Sequence, residues 1–105
     1  MKVVLLASAE ADLRALRGYI VRNFSVSTWS DTYAKIKTSV RNLATYPLLG
    51  NIPAELDLLN LTQYRQILSG MNRIIYEVRQ DAVYAHIIVD ARRDLKDVLM
   101  QRLMR

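Results

Sequence analysis

The chain has 105 residues, enough for one domain with one hydrophobic core and not for two. Its composition, 51% apolar and 24% charged, is that of a folded globular chain; no apolar run approaches the ~18 residues that span a bilayer, and the lack of cysteine excludes disulfides, thiolate metal sites and cysteine nucleophiles. The net charge is +5, with 11 Arg against 4 Lys, and the planar arginine fork suits phosphates and carboxylates, so nucleic acid and an acidic protein stand as partner classes beside a merely solvated basic surface.

Lys2 to Ala7 holds Val3-Val4-Leu5-Leu6, a short β-branched run that reads as a strand buried on both faces; it is too short for a secretory signal. Ser8 is placed to cap a helix, with Glu10 and Asp12 in its first turn, where the helix dipole favours carboxylates. Leu13, Leu16, Ile20 and Phe24 form its apolar stripe, and it should end near Asn23. A second helix begins at Ser27 or Thr28. Its stripe of Trp29, Tyr33, Ile36, Val40 and Leu43 is the strongest periodic signal in the chain and reads as core. Pro47 stops it, and the four-residue link Phe24 to Ser27 makes the two helices an antiparallel hairpin.

The breaker cluster Pro47 to Pro53 separates this helical half from a strand-rich half. Glu55 to Leu61 fits a loop, a short helical turn or an irregular strand. Tyr64 to Leu68 reads as a strand, followed by the turn Ser69-Gly70-Met71-Asn72. In Arg73 to Arg79, Ile74, Tyr76 and Val78 point one way and Arg73, Ile75, Glu77 and Arg79 the other. After the turn at Gln80-Asp81, Ala82 to Asp90 alternates, with Val83, Ala85, Ile87 and Val89 on one face and Tyr84, His86, Ile88 and Asp90 on the opposite one. Arg92 to Leu103 reads as a helix with Leu95, Val98, Leu99 and Leu103 inward. The order β-α-α-β-β-β-α specifies an α+β fold: a mainly antiparallel sheet with the helical hairpin on one face and the short last helix partly covering the other.

No glycine-rich phosphate loop is present, and a single histidine without cysteine or spaced carboxylates speaks against a metal site, so no cofactor is expected. The chemistry-bearing residues fall on the outward face of the meander. Arg65, Arg73, Glu77 and His86 are expected to share it, with Arg93 nearby. Such a set can hold a phosphate, and His86 or Glu77 can move a proton. The alternative is a packed histidine among solvated arginines. Arg92-Arg93-Asp94 places two cations where a helix start prefers anions, which points to binding or to plain exposure. Met71, Met100 and Met104 are adaptable apolar residues suited to a partner groove.

Several segments in order carry a resemblance: Ala11-Asp12-Leu13 with Tyr19-Ile20; Leu43-Ala44-Thr45-Tyr46-Pro47 with Gly50 and Pro53; Tyr64-Arg65; Asn72 to Val78; and Arg92-Arg93-Asp94-Leu95. Together they resemble the RelE/ParE superfamily of bacterial type II toxins over nearly the whole chain. The resemblance implies a cytoplasmic toxin of a bacterial type II toxin–antitoxin system, bound by a cognate antitoxin in a hetero-oligomer and acting away from membranes. A RelE-like member would cut messenger RNA on the ribosome without a metal, through Arg65, Arg73, His86 and Arg93. Here Ile67 stands at that site's second basic position and Leu99 at its tyrosine. A ParE-like member poisons DNA gyrase and has no catalytic residue. The Arg92-Arg93-Asp94-Leu95 entry favours this second type, with Arg73, Arg92, Arg93 and Lys96 toward the target and Arg65, Met71, Met100 and Met104 toward the antitoxin.

Overall fold

The computed structural model describes residues 1–103, apart from the Leu103 side chain. In chain order the elements are β1 (Lys2–Leu5), α1 (Ala7–Asn23), α2 (Val26–Thr45), α3 (Ala54–Asp57), β2 (Tyr64–Ser69), β3 (Asn72–Val78), β4 (Ala82–Asp90) and α4 (Leu95–Leu103). The α+β architecture follows the expected order, with the open segment after Pro53 taken up by the single turn α3. The sheet order is β1-β4-β3-β2; β1 runs parallel to β4 and the other pairs are antiparallel.

α1 and α2 cover one face. Ala9, Ile36, Leu43, Ile67, Ile74, Tyr76, Val83, Ala85 and Ile88 form its core. The other face is closed by α3 and α4 over Leu56, Ile75, Ile87, Leu95 and Val98. No helix among the described residues is long and apolar enough to cross a membrane.

Several local expectations are revised. The first strand stops at Leu5 and lies at the sheet edge, only half-buried, because α1 begins at Ala7. Ser8 does not cap α1: the N-cap is Leu6, with no side-chain cap. Ser8 and Asp12 instead complete β4, which runs on past the end of β1. The Leu6 N–H donates to the Ala85 carbonyl at 3.0 Å, and the Ser8 hydroxyl donates to that of His86 at 2.8 Å. The Ile88 N–H donates to the Asp12 carboxylate at 2.9 Å. Helix side chains thus replace the missing strand partner, as the need to satisfy buried backbone groups requires. α2 starts at Val26, earlier than expected, because Ser25 caps it by accepting the Thr28 N–H at 3.0 Å. The hairpin link is only Phe24-Ser25.

The α2 stripe divides. Ile36 and Leu43 are buried, but Trp29 is half-buried and Tyr33 is 38% exposed, the two rings stacked 5.3 Å apart. This pair is therefore surface and not core.

The alternation along β4 also breaks. Tyr76 pairs with Ala85 and Ile75 with Ile87, leaving His86 as an extra residue in a bulge. Beyond it Ile87 faces α3 and α4, while Ile88 faces the hairpin, the reverse of strict alternation.

The Pro47–Pro53 segment is fastened to β2 and β3. The Gly50 N–H donates to the Tyr76 hydroxyl at 2.8 Å, and the Gln66 N–H donates to the Asn51 carbonyl at 2.7 Å. A Cβ at Gly50 would stand 2.3 Å from the Gln66 carbonyl oxygen, so only glycine fits. Gly70 opens the two-residue turn between β2 and β3 with φ of 58°, a backbone glycine adopts without strain.

Candidate functional site

The expected four-residue cluster does not assemble. Residues directly opposite one another across strands share a face. Arg65 pairs with Tyr76 and therefore lies on the hairpin face, where its guanidinium donates to the Gly50 carbonyl at 2.7 Å. Its neighbour Gln66 takes the place beside Arg73. Arg73, Glu77 and His86 do occupy the other face. Arg73 and Glu77 are four residues apart on β3, about 13 Å at the ~3.3 Å rise of a strand, too far to act on one scissile bond.

Arg73 is 6% exposed and its donors are engaged. Nη1 and Nη2 each reach the Glu55 carboxylate at 3.0 Å, Nε reaches the Gln66 amide oxygen at 2.8 Å, and Nη1 also reaches the Arg93 carbonyl at 3.2 Å. The same carboxylate accepts the Leu95 N–H at 3.4 Å, at the start of α4. The hydrogen bonds from Arg73 hold the Glu55 carboxyl down to about 2. Arg73 therefore joins β3, α3 and the turn before α4, with its guanidinium inside the fold and not on the exposed surface where the sequence reading set it.

At the other end of this face His86 Nε2 lies 3.1 Å from Glu77 Oε1, and the imidazole meets Tyr64 edge-on at 5.2 Å. Partial burial acts to raise the Glu77 carboxyl, but hydrogen bonds from Arg79 and His86 outweigh it and leave it below its usual range. The His86 carbonyl accepts from Ser8, and Arg102 reaches it at 3.4 Å. Arg102 also clasps both Asp12 oxygens at 2.6 Å, tying α4 to α1. The sequence reading missed this pair, because Asp12 looked like a dipole partner and its mate lies 90 positions away.

The arginine turn is exposed. α4 begins at Leu95, so Arg92 and Arg93 precede the helix, whose first turn holds Lys96 and Asp97. Asp94 accepts the Lys96 N–H at 2.9 Å. Arg92 grips the Asp90 carboxylate through Nε and Nη2 at 2.9 and 2.8 Å, and these bonds hold Asp90 at about 2. Arg93 reaches Gln101 at 2.9 Å. Arg92, Arg93 and Met100 line one hollow with Asp94, Asp97 and Gln101. Lys96 lies at its neighbour, beside Leu58. This exposed edge, with Arg92, Arg93 and Lys96 beside Asp94 and Asp97, is open to a large partner. Among the described residues no three His, Asp or Glu side chains gather as a metal site.

A second surface lies between the helical hairpin and the β2–β3 turn. There a groove of about 390 Å³ is walled by Leu16, Tyr19, Ile20 and Phe24 of the first helix and its cap. Thr28, Thr32 and Lys35 of α2 face them, and Ser69 to Asn72, Asp90 and Arg92 close the floor and one end. Phe24 is 66% and Met71 61% exposed. Of the expected antitoxin contacts only Met71 is here; Met100 is in the arginine hollow, Arg65 is inside the hairpin layer, and Met104 lies outside the described residues. The signal that could have found the groove is Phe24, which continues the apolar stripe of α1 past the end of the helix.

An α+β sheet with a helical hairpin on one face thus carries an exposed arginine turn and an open apolar groove, which meet at Arg92. The chain belongs to the ParE toxin family of the type II toxin–antitoxin system parDE, whose family model matches residues 3–98. It is similar in fold to a solved structure described as the chromosomal ParDE TA system from P. aeruginosa, with a TM-score of 0.71 and 15% identity over 86% of this chain and 95% of that one. No curated protein matches the sequence.

Proposed function

We propose that this toxin poisons DNA gyrase through the basic edge formed by Arg92, Arg93 and Lys96, and that a cognate antitoxin neutralises it from the apolar groove. The observation that carries the reading is the division of labour among the arginines. Arg73 is consumed by Glu55, Gln66 and the Arg93 carbonyl, whereas Arg92 and Arg93 are exposed on a turn that Arg73 holds still. A rigid, charged edge without a convergent acid, base and phosphate cradle suits binding rather than bond cleavage. The groove fits a partner of opposite sign. Its walls are apolar, Lys35 and Arg92 bound it, and the chain carries +5.

The purified toxin is expected to block gyrase supercoiling while leaving ribosome-bound messenger intact. The double variant Arg92→Glu/Arg93→Glu should lose most of that inhibition. Normal supercoiling at saturating toxin overturns the proposal. The ribonuclease reading is supported by one feature, the His86–Glu77 pair with its capacity to pass a proton, and cleavage of messenger in the same assay would favour it. Selecting genes of the source genome that restore growth to cells expressing the toxin recovers the antitoxin.

A further inference from the structure

The groove is lined by a residue whose buried hydroxyl the fold leaves unpaired. Ser69 is 5% exposed, and its Oγ has no hydrogen-bond partner. It ends β2 on the hairpin side, opposite Asn72, and lines the groove together with Lys35 and Met71. Buried hydroxyls are ordinarily paired, so an orphan needs a reason. The approach over the turn is open: a Cβ built on Gly70 meets no atom within 4 Å. Met71, the other turn residue, is an exposed and pliable side chain.

We propose that Ser69 is the specificity-determining residue of the groove, and that its partner is supplied by the antitoxin. The inference rests on the reading that the antitoxin occupies this groove. The occupant is an amphipathic acidic segment whose apolar side chains cover Tyr19, Phe24 and Met71. One of its carboxylates reaches the floor, where the Ser69 hydroxyl turns about χ1 to donate to it beside the Lys35 ammonium. A carboxylate is selected because the groove offers a donor and a cation together, and charge-assisted hydrogen bonds of this type are the strong ones. A segment with an apolar residue at that position leaves Ser69 unpaired and gains less, which makes the hydroxyl a discriminator between partners.

The test uses the full-length toxin and the antitoxin recovered by growth rescue, with binding measured by calorimetry and folding by thermal melts. Ser69→Ala should melt at or above the native Tm, since it removes an unpaired group, yet bind the antitoxin about tenfold more weakly. Phe24→Glu should retain its fold and lose binding at least a hundredfold. If Phe24→Glu binds normally, the groove reading itself fails. If Phe24→Glu loses binding while Ser69→Ala binds like the native chain, the groove stands and the role of Ser69 is overturned. A marked fall in the Tm of Ser69→Ala also overturns it, because the hydroxyl would then serve the toxin's own fold.

Discussion

The two faces of the sheet are closed by different physics. Under the helical hairpin, the cluster from Ala9 to Ile88 interlocks apolar side chains, and stability there depends on shape. Under α3 and α4 a smaller apolar cluster is framed by Arg73–Glu55, Glu77–His86 and Arg102–Asp12. Geometry on that side is set by hydrogen-bonded charge. The difference teaches where placement matters: the ion-paired side fixes the arginine turn and the ends of α4, and the shape-packed side supports it.

The sharpest way to break this contrast is Arg73→Ala. Losing one partner of a buried pair leaves Glu55 uncompensated and should cost about 3–5 kcal/mol in urea unfolding. Arg73→Met combined with Glu55→Met should recover most of that stability while loosening the arginine turn, so that the gyrase inhibition we propose stays low. Full recovery of inhibition would show that packing alone positions the turn. Next is Leu43→Ala on the hairpin face, expected to cost about 3 kcal/mol through the cavity it leaves, with no dependence on pH.

Acid should separate the two faces further. The folded Glu55 carboxyl is held at about 2 against an unfolded value near 4.5, so its stabilisation is complete above about pH 4.5 and is lost as pH falls toward 2. The difference amounts to about 3 kcal/mol at ~1.36 per pH unit. That slope should disappear from the double Met variant, and its persistence there would assign it to another carboxylate. The smallest structural effect belongs to Arg92→Ala. Its side chain is 77% exposed, so the Tm should not move, while the Asp90 carboxyl, followed by NMR titration, rises from about 2 toward its ordinary range.

Much of the fold was legible because it rests on local period. The helical hairpin, the meander and the terminal helix all follow from spacing, and the segments quoted for the toxin resemblance lie in the right order. What escaped was parity and partnership. One extra residue at His86 inverted the expected faces of Ile87 and Ile88, and the two-residue turn sets odd positions of β2 opposite even positions of β3, which puts Arg65 with Tyr76 and not with Arg73. Asp12 and Ser8 looked like helix-terminus residues because their real partners, on β4 and α4, are more than 70 positions away. Trp29 and Tyr33 followed the helical period of the core stripe but stack on each other at the surface. Of the groove only Phe24 left a trace in the sequence, because its walls come from α1, α2 and the β2–β3 turn.

The bulge on β4 has a consequence for how this chain can change length. It acts as a phase shift: before His86 the strand counts in step with the hairpin layer, and after it the count is reset so that Ile88 still points there. Removing one residue between Ala85 and Ile88 would take the bulge out and restore the simple rhythm, and Ile88 and Asp90 would keep the faces they hold, because Ile75 would find its partner directly after Ala85. Removing Val89 instead would turn Asp90 to the wrong layer and carry the arginine turn attached to it to the other side. The bulge is thus the stretch of β4 where a single deletion leaves the basic edge in place.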